Sequence, residues 1–411
     1  MLSKERRINY NLNPVVRGMI AFYFFISFFE PYINGTIGAI TKYYIILLIG
    51  VILISTKGVV LRYYHYLYLI WFIYKLASIF WATNTYSFEL HLVSHIGMVG
   101  LLMCITLVPI DGKTIDWCVK AQWLGSAIIG VLSLFFSKPH NGTNEARLVL
   151  TLFGVEGEPN NHAAFLLIGI AISLFFLLQE KKYKVLSLAV LFVNVYAVFM
   201  TASRSGLVGI VAVILISIFI KNRGEKITKK LIIVIPVAFA GILMLAMADE
   251  LLSVETYDRL FKFSEYGDGS KRIFLWENTL MMIENIFDLL FGVGWGSYFG
   301  YNDVYKSVHN TFLSIMTDTG LLGLGIFIAP ITVACWKMIK KRDMVSVGVF
   351  VAAMIAAFFM EAINKRFFWN GIIFILVVYN FHETNDTKPL VKRYKVNKQS
   401  KYQKDGKTEI I

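Results

Sequence analysis

Residues 302–313, NDVYKSVHNTFL, lead from a polar segment into an apolar run that continues to about residue 336. A helix of about 20 apolar residues is long enough to cross the hydrocarbon core of a bilayer. Asn310 is a suitable N-cap for a helix that begins at Thr311, so His309 would lie where the polar segment meets the span. The stretch predicts a membrane helix with a titratable side chain at its mouth.

The composition of the whole chain has the same apolar character. Of its 411 residues, 57% are hydrophobic and only 16% are charged, and the mean hydropathy is +0.62. A soluble chain of this length could not bury so much apolar surface. The formal charge of +13 would suit nucleic acid, but the basic residues fall mostly between apolar runs and in the C-terminal tail. That pattern indicates membrane topology, so we predict an all-α integral membrane protein that binds no nucleic acid.

About twelve apolar runs are candidates for transmembrane helices. They lie near residues 15–33, 41–56, 61–82, 92–110, 116–136, 160–178, 185–200, 204–220, 231–248, 311–336, 344–361 and 367–381. A cytoplasmic N-terminus places the basic clusters between spans inside, as the positive-inside rule requires. We predict spans 1–9 within residues 1–248, spans 10–12 within residues 311–386 and a basic cytoplasmic tail over residues 387–411.

Residues 249–310, between the ninth and tenth spans, are too many for a simple turn, and we predict that they form a helical extracytoplasmic loop with the catalytic site. Within the loop, residues 271–287 read KRIFLWENTLMMIENIF. Their apolar residues recur at helical spacing and include Ile273, Trp276, Leu280, Ile283 and Phe287. The spacing favours an amphipathic helix at the outer membrane surface with Ser270 as its N-cap, and a structural helix on the bundle fits it equally well.

Arginines on the outer side of the membrane need a physical reason. Arg204 lies in TASRSG (201–206), a short turn between two apolar spans, where a guanidinium costs up to about 3 kcal/mol unless it finds an anion or water. Snorkelling to the interface is the alternative explanation. Arg147, Lys271 and Arg272 add positive charge on the same face, and arginine's forked donors match phosphate oxygens. The pattern predicts a site for a lipid-linked phosphate or diphosphate.

His309 is the candidate general base, because imidazole titrates near neutral pH and can accept a hydroxyl proton. An interfacial histidine is also a common amphipathic filler, and two other histidines on the outer side, His140 and His162, remain rivals. Neither the histidines nor the three cysteines have the spacing of a metal site, so no metal or other cofactor is expected. The glycines of Gly292–Gly296, GVGWG, are expected to make turns rather than to bind a nucleotide.

Three segments together resemble the bacterial O-antigen ligase and O-antigen polymerase family. They are TASRSGLVGI at 201–210, GSKRIFLWENTL at 269–280 and GVGWGSYFGYNDVYKSVHNTFLSIMTDTGLLGLGIFI at 292–328. A weaker fourth segment, RLVLTLFGVEGEPNNHAAF, lies at 147–165. The second half of the chain carries the resemblance, and the first half is similar only in hydropathy.

The resemblance implies a multi-pass protein of the bacterial cytoplasmic (inner) membrane that transfers a glycan from undecaprenyl diphosphate to a sugar hydroxyl on the outer face. It implies that neither nucleotide nor metal is needed for the transfer. By position in the motifs, Arg204, Arg272 and His309 are the expected catalytic residues. Substrate binding is assigned to Arg147, Lys271, Asn310 and Trp276. The expected partners are the lipid-linked oligosaccharide, membrane lipid and other polysaccharide-assembly proteins.

Several functions stay open at this level. A polymerase of capsular polysaccharide, exopolysaccharide or O-antigen is preferred, and a ligase that delivers the glycan to lipid A core or another anchor is the alternative. A flippase or other polysaccharide transporter would concentrate polar groups at mid-membrane, where Lys75 is the main charged residue. The outer acidic residues Glu156, Glu158, Glu277 and Asp303 have no assigned role.

Overall fold

The computed structural model describes residues 12–38, 40–55, 58–140, 147–180, 183–223, 260, 272–304 and 306–385. The helices are α1 (Pro14–Ile26), α2 (Glu30–Ile37), α3 (Ile40–Ser55), α4 (Tyr63–Ala77), α5 (Tyr86–Leu107), α6 (Gly112–Phe136), α7 (Pro159–Leu178), α8 (Lys184–Met200), α9 (Arg204–Lys221), α10 (Arg272–Met281), α11 (Ile286–Phe291), α12 (Thr311–Lys341), α13 (Met344–Phe358) and α14 (Arg366–Asn385). Short 3₁₀ turns cover Ser78–Trp81 and Tyr301–Asp303. The architecture is mostly helical, as the sequence predicts.

Within the described residues, five helices are long and apolar enough to cross a membrane, namely α5, α6, α7, α9 and α12. The bent pair α1 and α2 would make a sixth span, and α3, α8 and α13 are shorter apolar helices. These helices agree with a multi-pass membrane protein. The count of twelve spans stays a prediction, because the predicted span 231–248, residues 249–259 and 261–271 of the predicted loop and the basic tail lie outside the described residues.

Two predicted continuous segments are broken in the structure. The first predicted span, 15–33, is divided because α1 ends at Ile26 and α2 leaves it at an angle of 84°. Proline lies in the first turn of α2, where its missing N–H and fixed φ suit a new helix start. The predicted helix 271–287 is likewise divided, because Asn285 caps α11 by accepting hydrogen bonds from the backbone N–H groups of Phe287 and Asp288.

A small antiparallel sheet, which the sequence analysis did not predict, lies between α6 and α7. Its strands are β1 (Ser137–Pro139), β2 (Leu148–Leu152) and β3 (Val155–Glu156), in the order β1-β2-β3. Ser137 pairs with Leu150, and Thr151 pairs with Glu156. The sheet packs on α6, α7 and α2, so it fixes the approach of the chain to the start of α7.

The helices alternate in direction, so several connections meet at one end of the bundle. This end contains the starts of α7, α9, α12 and α14, the segment 272–310 and the connection 359–365, and we call it the His309 end. Thr311 illustrates the meeting, because its hydroxyl donates to the carbonyl of Met360 at 2.8 Å and accepts from the N–H of Ala362 at 2.7 Å. Every predicted site residue in the described part of the chain lies at this end.

A buried ion pair fastens the glycine-rich segment to the bundle. The ammonium of Lys75 lies 3.0 Å from the carboxylate of Asp318, and both side chains are almost fully buried. Asp318 also accepts a hydrogen bond of 3.1 Å from the N–H of Gly296, and Lys75 lies 4.6 Å from the ring centroid of Trp295. Lys75 is therefore not the only charged residue deep in a span, since Asp318 is its partner in α12.

The glycines of this segment make turns, as the sequence predicts. Gly292, Gly294 and Gly296 have φ values of 82°, 94° and 96°, in the left-handed region that favours glycine. A Cβ on Gly294 would lie 2.6 Å from the Cα of Ala82, so the two backbones approach too closely for any side chain. The segment is held against the end of α4, and its path continues to His309.

Candidate active site

His309 lies in a strained turn immediately before α12. Its φ of 53° is in the left-handed region, which costs a non-glycine residue about 1 kcal/mol or more. The next residue, Asn310, is the predicted N-cap, and its side chain accepts from the N–H groups of Phe312 at 3.0 Å and Leu313 at 3.1 Å. The cap is confirmed, and it gives Asn310 a structural task at the helix start. Its assignment to substrate binding stays a prediction.

The charged neighbours of His309 include two residues from distant parts of the chain. Burial lowers the pKa of His309 below its usual value near 6.5, and the positive charge of Arg272 lowers it further. The negative charge of Glu158 acts in the opposite direction, and the charge of Lys306 again lowers the pKa. The imidazole is therefore neutral at pH 7, which is the form that can accept a proton.

Glu158 comes from the start of α7. Its carboxylate caps this helix by accepting from the N–H of Asn160 at 3.1 Å and from the N–H of Asn161 at 2.6 Å. Pro159 follows in the first helical position, where proline is well tolerated. The cap places a negative charge at the helix N-terminus, which is its favourable position, and also beside His309.

Asn160 connects this helix start to the predicted phosphate site. Its side-chain carbonyl accepts from the guanidinium of Arg147 at 3.0 Å and from the hydroxyl of Ser203 at 2.9 Å. Arg147 also donates to the carbonyl of Thr201 at 3.0 Å and is buried. Ser203 is the N-cap of α9, and Arg204 is the first residue of that helix. Arg147 and the backbone at Arg204 are thus linked to the α7 start that carries Glu158.

The other side of His309 is supported by α10. The indole N–H of Trp276 donates to the carbonyl of Val308 at 3.1 Å, so Trp276 positions the residue that precedes His309. Arg272 begins the same helix, and its guanidinium carbon lies 5.7 Å from the ring centroid of Phe359. The assignment of Trp276 to substrate binding stays a prediction, and its observed hydrogen bond shows that it also positions the segment before His309. Lys271 lies outside the described residues.

Comparison with protein families gives a finding that agrees with the sequence motifs. Residues 188–328 match the family model described as O-antigen ligase. This part of the chain is therefore similar to the O-antigen ligase family. The matched range includes Arg204, Arg272 and His309, whereas Arg147 and Glu158 precede it. No curated protein matches the chain.

The domain match confirms the predicted resemblance to the O-antigen ligase and polymerase family. At a coarse level it supports an enzyme of glycan transfer in the membrane, because members of this family are ligases and polymerases of this type. The resemblance of the motifs and the geometry of the described residues therefore lead to the same region of the chain. The role of each site residue remains a prediction.

The rival histidines are engaged elsewhere. His140 pairs with Glu156 beside the small sheet. His162 is buried in α7, where its two ring nitrogens contact the hydroxyls of Tyr32 at 3.2 Å and Ser133 at 2.8 Å. His309 is thus better placed than these rivals beside the arginines of the O-antigen ligase domain.

Sequence reasoning missed several participants. Glu158 was only one of four unassigned acidic residues, and its helix-capping position before Pro159 was the signal that could have placed it. Asn160 was missed because its role depends on contacts with Arg147 and Ser203, which are far apart in sequence. Among the described residues, no group of three or more His, Cys, Asp or Glu side chains could hold a metal ion. The metal-independence of transfer stays a prediction.

Proposed function

We propose that the chain is a glycosyltransferase of the bacterial cytoplasmic membrane that acts on its extracytoplasmic face. The donor is a glycan on undecaprenyl diphosphate, and the acceptor is a sugar hydroxyl of a second lipid-linked repeat. The product is a polymer of repeat units, as in a capsular polysaccharide, an exopolysaccharide or an O-antigen. The O-antigen ligase domain over residues 188–328 supports the general class of reaction.

One observation carries the proposal. The indole of Trp276 in α10, the helix that Arg272 begins, donates to the carbonyl of Val308 directly before His309, and the charges of Arg272 and Glu158 both act on the pKa of His309. A general base needs an uncharged form at working pH, and a departing diphosphate needs cationic donors close by. The region around His309 supplies both the base and the cationic donors. It lies at one end of a bundle with several helices long and apolar enough to cross a membrane.

The proposed step forms one bond and breaks another. The acceptor oxygen attacks the anomeric carbon, its proton passes to the neutral imidazole of His309, and the carbon–oxygen bond to the diphosphate breaks. The lipid diphosphate leaves with that electron pair. Arg204 and Arg272 stabilise the negative charge that grows on it, since guanidinium groups bind phosphate oxygens in a bidentate manner. A single displacement of this kind inverts the anomeric configuration.

In this mechanism Arg147 is a positioning and binding residue. Its hydrogen bonds to the carbonyl of Thr201 and to the side chain of Asn160 orient the guanidinium. Glu158 raises the pKa of His309 through its negative charge.

The test uses full-length protein in detergent with undecaprenyl-diphosphate repeats extracted from the native host. A ladder of longer lipid-linked glycans supports polymerisation, and the ladder must persist with a metal chelator present. Transfer only to lipid A core or another anchor would instead establish the ligase. A flippase changes no covalent bond and would leave the repeats at their original length, which would overturn the enzymatic proposal.

A matched variant connects the activity to the site. Asn tolerates the left-handed conformation that His309 adopts, so His309→Asn removes the base with little added strain. The ladder should disappear with this variant while the protein still inserts and purifies as a folded species. An undiminished ladder would end the role of His309 as base.

A further inference from the structure

A cleft opens at the His309 end, apart from the arginines already described. Its lining includes the aromatic residues Tyr86, Tyr298 and Phe299, and the rings of Tyr86 and Phe299 are stacked with centroids 4.7 Å apart. Glu361 and Asn364, from the connection between α13 and α14, supply polar atoms. Apolar walls with a few polar groups are the usual composition of a site for a small ligand.

The cleft is adjacent to the proposed base. Ser307 lines it and precedes His309 by two residues, so the two Cα atoms can be at most about 7 Å apart. The backbone that carries Glu361 is held beside the start of α12, because the hydroxyl of Thr311 forms hydrogen bonds to the two residues that flank Glu361. A ligand in the cleft therefore lies within reach of the His309 segment.

Two buried side-chain oxygen atoms in the lining lack a hydrogen-bond partner among the described residues. One carboxylate oxygen of Glu361, Oε1, accepts from the hydroxyl of Tyr298 at 2.8 Å. The other, Oε2, has no partner among the described residues, and neither has Oδ1 of Asn364. A buried polar atom without a partner is unfavourable, so such atoms commonly indicate a water or a ligand.

The chemistry of these atoms favours a sugar over a phosphate. Burial raises the pKa of Glu361, and the neighbouring Asp318 raises it further, although the hydrogen bond from Tyr298 opposes this. A sugar hydroxyl both donates and accepts, so it can pair with Oε2 in either protonation state and with Oδ1 of Asn364. A diphosphate diester has no proton to donate at neutral pH and would be repelled by an ionised Glu361. Lys365 also lines the cleft and would suit an acidic substituent of a sugar.

We propose that this cleft binds the acceptor sugar, with Glu361 and Asn364 hydrogen-bonded to its hydroxyls beside the aromatic wall. The inference rests on the proposed glycosyl transfer and divides its site into two parts. The arginines Arg147, Arg204 and Arg272 hold the diphosphate of the donor. The cleft holds the acceptor and presents its attacking hydroxyl to His309. Glu361 is a binding and positioning residue and takes no part in proton transfer.

The experiment uses an acceptor that cannot act as a donor. The probe is the lipid-free oligosaccharide repeat, reduced at its former reducing end and fluorescently tagged, offered to the full-length protein with the lipid-linked donor. Glu361→Ala should raise KM for this probe about tenfold or more, with a smaller change in kcat, because a hydrogen bond to a carboxylate is lost. Asn364→Ala should act in the same direction with a smaller rise.

Two comparisons separate binding from a structural role. Glu361→Gln keeps an oxygen for Tyr298 and a polar group at the Oε2 position, so it should recover part of the affinity. Ser314→Ala removes a second, 3.5 Å contact to Oε1 of Glu361 from a residue outside the lining, and it should leave KM unchanged. An equal rise of KM in Ser314→Ala would mean that Glu361 only supports the fold, and the inference would be wrong.

A binding measurement keeps the inference independent of activity. Titration of the probe into the His309→Asn variant should show saturable binding that Glu361→Ala weakens. If the wild-type protein transfers glycan but neither KM nor binding responds to Glu361, the cleft proposal fails and the proposed function survives. If transfer is absent altogether, the proposed function fails, and the titration alone decides what the cleft binds. Competition by inorganic diphosphate that requires Glu361 would assign the cleft to the donor and overturn the inference.

Discussion

Buried carboxylates have different surroundings at the two ends of the helical bundle. At the end opposite His309, Asp111 lies 2.7 Å from the guanidinium of Arg17, and Asp343 lies 3.2 Å from the imidazole of His382. Asp111 and Asp343 also cap α6 and α13, so each completes a helix start and an ion pair at once. At the His309 end, Asp318 has such a partner in Lys75, whereas Glu361 accepts from Tyr298 through one carboxylate oxygen and its other oxygen has no partner among the described residues.

The difference separates residues that maintain the fold from residues arranged for a ligand. A carboxylate paired with a cation has its hydrogen-bonding needs met within the protein, whereas a buried carboxylate oxygen without a protein partner is left to bind water or a ligand. Backbone strain does not make this distinction, because a positive φ occurs at His309 and also at Arg342, next to Asp343.

The largest expected effect distinguishes the histidines at the two ends. His309→Asn should lower the transfer rate by about 10²–10⁴-fold, the usual contribution of a general base. His382→Asn is the matched control, because His382 is fully buried beside Asp343 at the opposite end. It should lower thermal stability and leave the rate per folded molecule unchanged. Radiolabelled glycan transfer and melting temperature measure the two effects, and equal rates for both variants would refute the distinction.

The arginines provide the next comparison. Arg204→Ala should lower the rate by about 10²–10³-fold, as expected for the loss of a donor to developing negative charge. Arg204→Lys should recover only part of it, because an ammonium is a point charge and lacks the fork of arginine. Arg17→Ala, which breaks the pair with Asp111, should affect stability rather than rate. A rate loss of the same size for Arg17→Ala would show that the assay reports folding.

The buried Lys75–Asp318 pair should dominate stability at the His309 end. Lys75→Met alone leaves Asp318 as an unpaired buried charge and should cost about 3–5 kcal/mol, whereas Lys75→Met with Asp318→Leu should recover much of the loss. The control is Lys120→Ala in the pair with Asp116, where Lys120 is 47% exposed, and it should cost under about 0.5 kcal/mol. Thermal melts in detergent measure all three variants. Additive losses in the double variant would show that the two charges do not compensate each other.

The sequence predicted those features that depend on local pattern. Asn310 as an N-cap, the turns at Gly292–Gly296 and the apolar helices follow from residue type, hydropathy and spacing, which act over a few neighbours. Motif resemblance then selected Arg204, Arg272 and His309, and the O-antigen ligase domain match covers all three. The grouping of His309 with Arg272 agrees with that selection.

The missed features depend on packing between distant segments. The predicted helix 271–287 was divided because the side-chain cap at Asn285 outweighed continuous apolar spacing. Asp318 and Glu361 lie in or beside apolar runs, and nothing in their local sequence indicates that one meets Lys75 and the other borders a cleft. Asn160 and Trp276 acquire their roles through hydrogen bonds to residues 43 and 32 positions away. Pattern alone could not locate the polar groups that surround His309.

The smallest expected effect concerns the pH dependence of transfer. The reaction needs neutral His309, so the rate falls as pH decreases through the pKa of this residue, which lies below its usual value. The charge of Glu158 raises this pKa and the charge of Lys306 lowers it. Glu158→Gln keeps an oxygen to cap α7 and should therefore move the acidic limb of the rate profile to lower pH. Lys306→Gln removes a positive charge and should move that limb to higher pH.

The opposite signs make this pair a strict test of the geometry around His309. A loss of folding in acid would shift both profiles in the same direction, whereas a charge effect on one imidazole must shift them apart. The measurement is the initial transfer rate between pH 4 and pH 8 in steps of about half a unit, spanning the usual histidine pKa. If Glu158→Gln moved the acidic limb to higher pH, the carboxylate at the start of α7 would not be acting on the base, and Glu158 would only cap its helix.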